Sequence, residues 1–295
     1  MIIIVKVIIL FLIALSNANP TPIVMWHGMG DTCCNPLSLG RIQSYIEKTI
    51  PGVYVLSLRI GGNFAEDSLN GFFMNVNNQI KMACDIIAND SNLQNGFNAI
   101  GFSQGGQFLR AVVQRCPFRV FNLISIGGQH QGVFGFPNCP SSDETICNLI
   151  RKLLSFGAYE NFVQRHSVQA EYWHDPLKED IYKEKSIFLA EINNLQKFNM
   201  TYKIRLSNLT NFVMVKFLND TMVIPKDSEW FEFYEPGQEE KITPLTNSTI
   251  YTQDLLGLKQ LFDTNRLKFL SVVGEHLQFS EEWFVTNIIK PFLSK

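Results

Sequence analysis

Gly101-Phe102-Ser103-Gln104-Gly105 constrains this chain more than any other stretch. It fits G-x-S-x-G, in which a strand turns sharply into a helix and holds one serine at the apex of the turn. Upstream, Phe97-Asn98-Ala99-Ile100 reads as a short buried strand. Downstream, Gly106 to Val113 spaces its apolar residues as a helix does. A side chain at Gly101 or Gly105 would collide across so tight a turn. The pentapeptide alone also occurs as a glycine-rich turn without chemistry. The strand before it and the helix after it are what give Ser103 the reading of a nucleophile.

The rest of the chain supplies the frame that such a turn needs. Pro22-Ile23-Val24-Met25-Trp26 reads as a core strand running into the loop His27-Gly28-Met29-Gly30-Asp31. Leu37 to Lys48 reads as an amphipathic helix, Val53 to Leu58 as a strand, and Phe72 to Ala88 as one helix. Phe121 to Gly128 reads as a further buried strand. Strand alternating with helix predicts a parallel sheet covered on both faces. The rhythm breaks over residues 129–210, where Ile146 to Leu154 and Ser186 to Asn194 are the better helical stretches and Trp173-His174-Asp175-Pro176 marks a turn. This segment is expected to be a helical cap inserted above the sheet. Phe212 to Leu218 and Lys268 to Val273 resume the sheet, and Glu281 to Phe292 closes the chain as a helix. The expected fold class is α/β, an α/β-hydrolase fold with a mostly parallel central sheet, in one domain over residues 19–295.

In that fold the acid and the base follow the serine in chain order, each at the C-terminal end of a strand. Asp220 and His276 occupy such positions. Asp220 also has the bland reading of a turn cap, and Asp227 and Asp31 are its rivals. His276 competes with His27, His130, His166 and His174, but it is the histidine that follows a late sheet strand. His27 reads better as a residue that orients its loop. Ser103, His276 and Asp220 would then act as nucleophile, base and orienting acid. The oxyanion donors are expected to be the backbone N–H groups of Gln104 and Met29.

Residues 1–18 stand apart: a short start with Lys6, an apolar run from Val7 to Leu15, and small residues at Ser16 and Ala18. They read as a secretory signal peptide cut after Ala18. No later stretch is apolar enough to span a bilayer, so no transmembrane segment is expected. A net charge of -2 argues against a nucleic-acid surface. The sequons at Asn89, Asn199, Asn208, Asn219 and Asn247 suggest a glycoprotein. The six cysteines all lie in the mature part, and no Cys/His cluster has zinc spacing, so neither a metal nor a cofactor is expected. In an oxidising compartment the cysteines pair. Cys139 and Cys147 flank a short loop, and Cys84 and Cys116 lie in helical flanks of the elbow. That leaves Cys33 with Cys34, an awkward pairing because neighbouring Cα atoms sit closer than disulfides usually bring them.

Longer stretches carry a more specific signal. Trp26-His27-Gly28-Met29-Gly30-Asp31-Thr32-Cys33-Cys34-Asn35-Pro36, Gly101 to Ala111, Gly127 to Gly135, Gln169 to Pro176 and Lys216 to Asp220 together resemble the palmitoyl-protein thioesterases, lysosomal α/β hydrolases that remove long-chain fatty acyl groups from protein cysteines. The resemblance covers most of the mature chain. It implies Ser103, Asp220 and His276 as the triad, Met29 and Gln104 as oxyanion donors, and all three pairings Cys33–Cys34, Cys84–Cys116 and Cys139–Cys147. It implies that the 129–210 insertion forms much of a fatty-acyl groove, and that S-acylated proteins, peptides and other long-chain acyl thioesters are the substrates. It further implies a lysosomal or secreted location, glycans at Asn199 and Asn219, and sorting by a receptor that reads glycan. The family sequon that would fall near Lys183-Glu184-Lys185-Ser186 is absent here, while Asn89, Asn208 and Asn247 depart in the other direction. Physically, the residues alone do not separate a thioesterase from a lipase or esterase acting on oxygen esters. A lipid-binding protein that has kept the fold without turnover is the alternative from another class, against which the intact Ser, Asp and His set argues.

Overall fold

A computed structural model describes residues 19–135 and 144–294. The expected signal peptide, residues 1–18, and Cys139 lie outside the described residues. Six strands form one parallel sheet: β1 (Ile23–Trp26), β2 (Val55–Ser57), β3 (Phe97–Phe102), β4 (Val120–Ile126), β5 (Asn211–Phe217) and, after the short antiparallel pair β6 (Phe233–Tyr234) and β7 (Ile242–Thr243), β8 (Leu267–Val272). Their order is β2-β1-β3-β4-β5-β8. β1 therefore lies next to the edge strand β2, and β3 sits between β1 and β4.

Successive side chains of a strand point to opposite faces, so a strand buried on both sides is mainly apolar, and a polar residue in it needs a partner. β5 shows the pattern. Phe212 and Met214 join the core on one face, while Val213, Val215 and Phe217 join the core on the other. The helices α1 (Leu39–Thr49), α2 (Phe64–Phe73), α3 (Val76–Ala88) and α4 (Gln104–Arg115) connect the first four strands. Leu39, Ile42 and Ile46 of α1 cover one face together with Phe284, Ile288 and Ile289 near the C-terminus. Ile80, Ala83 and Ile87 of α3 cover the other face with Phe108, Leu109 and Val112 of α4.

The single helix expected from Phe72 to Ala88 is two helices. Met74 is extended, and the Asn75 side chain accepts hydrogen bonds from the N–H groups of Asn77 and Asn78, which starts a new helix. Gln79 Nε2 donates to the carbonyls of Asn70 and Met74, satisfying the end of the first helix.

No strand of the main sheet lies between β4 and β5 among the described residues. The connection holds α5 (Glu144–Gly157), α6 (Asn161–His166), α7 (Val168–Glu171), α8 (Glu179–Lys185), α9 (Leu189–Ile192) and α10 (Met200–Ser207). The helix expected over Ser186 to Asn194 is a single turn, α9. After β5 come a 3₁₀ turn (Lys226–Trp230), the β6–β7 pair, α11 (Thr249–Thr252) and α12 (Leu258–Asp263). The closing helix is α13 (Glu281–Phe284), which widens into a π-helical stretch over Val285–Leu293 around Pro291. Proline has no N–H to donate, so the regular ladder is interrupted there. Among the described residues no helix is long and apolar enough to cross a membrane.

Cys33 is bonded to Cys34 and Cys84 to Cys116. The adjacent pair is bonded at a Cα separation of 3.8 Å, the ordinary spacing of neighbouring residues and shorter than disulfides usually show. Cys147 on α5 is also disulfide-bonded; Cys139, its expected partner, is outside the described residues.

Candidate active site

Ser103 sits between β3 and α4 with φ at 52° and ψ at -127°, a conformation that side chains rarely adopt. The turn is held from both sides: Ser103 N–H donates to Ile126 O of β4 at 2.8 Å, and Gly106 N–H donates back to Ser103 O at 2.9 Å. Asp220 lies just beyond β5 and His276 just beyond β8. Their loops are tied together, because Leu218 N–H donates to Val272 O and Asn219 N–H to Gly274 O. Gly127, at the end of β4, has φ at 67°, and a Cβ there would stand 3.1 Å from His276 Cε1. A glycine at this point leaves room for the imidazole.

The three side chains meet. His276 Nε2 is 2.9 Å from Ser103 Oγ, and His276 Nδ1 is 2.5 Å from Asp220 Oδ2. An ionised carboxylate only accepts, so Nδ1 carries the hydrogen and Nε2 is left to accept from the serine hydroxyl. Asp220 Oδ1 accepts from the N–H groups of Met222 and Val223 at 2.7 and 2.9 Å. Burial alone would raise the Asp220 carboxyl. The hydrogen bond from His276, the adjoining Glu229 carboxyl and attraction to the imidazole outweigh it and bring the carboxyl down from 3.8 to about 2.

Gln104 opens α4, so its N–H has no partner within the helix and lies at the positive end of the helix dipole. Its buried side chain anchors the neighbourhood, donating to Gly71 O of α2 at 3.0 Å. The turn after β1 lies against the serine: a Cβ on Gly28 would be 3.0 Å from Ser103 Cβ and 3.7 Å from Ser103 Oγ. This brings Met29 beside the elbow. Behind it, His27 Nδ1 is 2.8 Å from Gly28 O and Nε2 is 3.2 Å from Asp67 Oδ1. Burial disfavours the His27 imidazolium. Asp67, the Gly28 carbonyl and Asp31 outweigh that and raise it above its ordinary 6.5, while His27 and two backbone N–H groups hold the buried Asp67 below 3.8.

The rival residues are engaged elsewhere. Asp227 pairs with Lys216 at 2.6 Å, and Asp31 accepts from Asn35 and Ser38. His130 is fully buried and stacked on Phe231, His174 contacts Glu179 and Gln131 O, and His166 is exposed on α6. Asp67 and Glu229 escaped the sequence reading. Asp67 acts through folding contacts to the loop after β1, and Glu229 through contacts to the end of β5 and to the Asp220 and His276 loops; neither lies in a local motif.

A cleft of about 490 Å³ opens on the array and includes Met29, Ser103 and His276 in its wall. Its apolar lining comes mainly from Leu37, Leu39 and Ile42 at the start of α1, from Met222 and Val223 after β5, and from Leu277 and Phe279 after β8. Of the described lining, the 129–210 segment contributes Gln129, Val133, Gln169 and Tyr172. Helices α5 and α6 instead bury Ile150, Leu154 and Val163 in a cluster of their own with Phe72 and Ala170.

A parallel sheet with helices on both faces, carrying a hydrogen-bonded serine, histidine and aspartate at the C-terminal ends of its strands, defines a serine hydrolase of the α/β-hydrolase fold. The family model described as palmitoyl protein thioesterase matches residues 22–276. The palmitoyl-protein thioesterase 1 of Caenorhabditis elegans is 51% identical over 97% of this chain and 98% of its own length. A lysosomal thioesterase PPT2 homolog of Drosophila melanogaster is 27% identical over 87% of this chain and 84% of its own length. Among solved structures, an extracellular alpha/beta-hydrolase from a Paenibacillus species aligns with a TM-score of 0.47 at 15% identity, covering 92% of this chain and 98% of that one. The chain belongs to the palmitoyl-protein thioesterase family.

Proposed function

We propose that Ser103, His276 and Asp220 carry out hydrolysis of long-chain S-acyl groups on proteins and peptides, with the N–H groups of Met29 and Gln104 as oxyanion donors. The observation that carries this is the unbroken hydrogen-bonded line from Asp220 through His276 to Ser103 Oγ, which ends in the wall of an apolar cleft. Ser103 Oγ attacks the thioester carbonyl while His276 Nε2 takes its proton. The carbonyl oxygen becomes an oxyanion facing the two N–H groups. Collapse of the adduct breaks the C–S bond, and the proton held by His276 goes to the departing sulfur. Water then attacks the acyl-serine, giving its proton to His276, and the fatty acid leaves as Ser103 is restored.

The 129–210 helices serve as a cap flanking this cleft. Residues 1–18 direct export, and the protein acts in the lysosome and is also secreted; relatives named lysosomal thioesterases support the address. Asn89, Asn208, Asn219 and Asn247 are exposed and Asn199 is half-buried, so each is open to a glycan that a sorting receptor could read. Neither metal nor cofactor enters the reaction proposed.

Hydrolysis of an S-palmitoyl peptide by the purified protein and by Ser103→Ala tests the reading, with a matched oxygen ester alongside. Turnover of the thioester that falls by at least about a thousandfold in Ser103→Ala is expected. Turnover confined to the oxygen ester would overturn the substrate class, and an active Ser103→Ala would overturn the nucleophile.

A further inference from the structure

Asp220 has a second buried acid behind it. Glu229, on the 3₁₀ turn after β5, is 1% exposed, and its Oε2 accepts from Phe217 N–H at 2.8 Å. Its Oε1 is equally buried and receives no hydrogen bond. Asp220, Glu229 and His276 place one side-chain nitrogen or oxygen each within 4.8 Å of one another. Asp220 Oδ1 is taken up by two backbone N–H groups and Oδ2 by His276, so that carboxylate is committed as an acceptor.

Two carboxyl groups this close in a dry setting do not both ionise. The charges facing Glu229 decide which one keeps the proton. Asp220 and His276 approach it from the loops after β5 and β8. Lys216 of β5 is the nearby cation, but its Nζ already pairs with Asp227 at 2.6 Å and with Glu232 at 3.6 Å. Lys226, on the same turn as Glu229, gives its Nζ to Leu218 O. Asp220 therefore has the imidazole as its partner, while Glu229 has no cation of its own. Burial first, and then the adjoining Asp220 carboxylate, raise the Glu229 carboxyl well above its usual range.

We propose that Glu229 is a fourth member of the array, a positioning residue that stays protonated and points its carboxyl hydrogen at Asp220, fixing that carboxylate against His276. It touches no substrate, and its proton does not leave during the cycle. Phe217 N–H holds one oxygen, which leaves the other to donate. The inference rests on the triad assignment proposed above.

The test uses Glu229→Gln and Glu229→Leu in the full chain, beside Ser103→Ala. kcat and KM for an S-palmitoyl peptide are followed from about pH 4 to 8, with thermal melting of each variant. A glutamine amide can still donate to Asp220 and accept from Phe217 N–H. Glu229→Gln is therefore expected to keep kcat within about threefold and to leave the acidic limb of the profile in place. A folded Glu229→Leu is expected to lose kcat by roughly ten- to a hundredfold at unchanged KM. If Glu229 were ionised, the glutamine would remove a negative charge beside the imidazole and move the acidic limb to lower pH by about a unit or more. That shift, a folded Glu229→Gln losing more than about tenfold in kcat, or a folded Glu229→Leu with wild-type kcat would each overturn the inference. Should the leucine variant fail to fold, the glutamine profile decides alone. A turnover-competent Ser103→Ala would instead remove the triad assignment, whatever the Glu229 variants do.

Discussion

His27 Nε2 lies 3.2 Å from Asp67 Oδ1, and both side chains are buried directly behind the turn that carries Met29. Asp67 is the hub of that turn. Its Oδ1 also accepts from Ile60 N–H, and its Oδ2 accepts from Thr32 Oγ1 and Cys33 N–H. A carboxylate on α2 thus fixes both the loop after β1 and the loop after β2. The oxyanion side of the site is held by packing between segments far apart in sequence.

The pair gives stability a defined pH dependence. Asp67 is depressed below 3.8, so its share is complete above that value and is lost as pH falls through its lower folded value. His27 is raised above 6.5, so its share is complete below 6.5 and is lost as pH rises through its higher folded value. Asp67→Asn should therefore melt below the wild type at every pH, with the gap widest between about pH 4 and 6.5 and narrowing above. Thermal melts of both proteins across that range measure it. A gap that stays flat from about pH 5 to 9 would show that the pair does not titrate as described.

Arg110 couples the nucleophile's helix to the segment above the sheet. It is fully buried on α4 and donates to Ile192 O, His130 O and the Asn193 side chain, with its guanidinium over the Phe231 ring at 5.1 Å. These acceptors are neutral, and burial lowers Arg110 from 12.5 to about 9. Lysine has one compact head where arginine has a planar fork, so in Arg110→Lys a single buried ammonium must replace the contacts to Ile192 O, His130 O and Asn193 Oδ1, while Gln114 Nε2 and Asn193 Nδ2 still serve the two carbonyls. The expected cost is about 3 kcal/mol or more, read from urea unfolding. Stability within about 0.5 kcal/mol of wild type would mean that the fork is not needed.

The strand ends were legible because they are local. An apolar run followed by a polar residue marks where Ser103, Asp220 and His276 emerge, and the parallel order of the sheet brings those ends together. Asp67, Glu229 and Arg110 were not legible. A charged residue that folding buries looks the same in sequence as one left in water, since its partners come from other segments. The break at Met74–Asn75 was hidden for a related reason: Asn75 becomes a helix cap only once Met74 is extended, and the apolar spacing runs on through both helices.

Gly105 offers a sharp test of the elbow's tolerance. A Cβ there would stand 2.7 Å from His27 O and closer still to Trp26 O, both of them backbone. Neither can move without dislodging β1, so α4 would have to back away and carry Ser103 with it. Gly105→Ala should cost about 3 kcal/mol and lower kcat/KM by roughly a hundredfold or more, measured by denaturant unfolding and thioester turnover. Wild-type turnover in this variant would mean that the elbow adjusts more freely than the close approach of α4 and β1 allows.

The cleft also predicts a length law for the acyl chain. Each methylene moved from water into apolar lining is worth about 0.8 kcal/mol, or roughly a fourfold gain in kcat/KM. The gain should continue while carbons still find lining such as Leu39, Ile42 and Phe279, and then level off when the cleft is full. Ile42→Phe, which places a larger side chain in that wall, should bring the plateau to shorter chains and leave short-chain turnover within about twofold of wild type. A series of acyl-peptide thioesters from eight to eighteen carbons, run on both proteins, separates the possibilities. A profile that is flat in chain length, or one that Ile42→Phe leaves unmoved, would place the acyl chain outside this cleft.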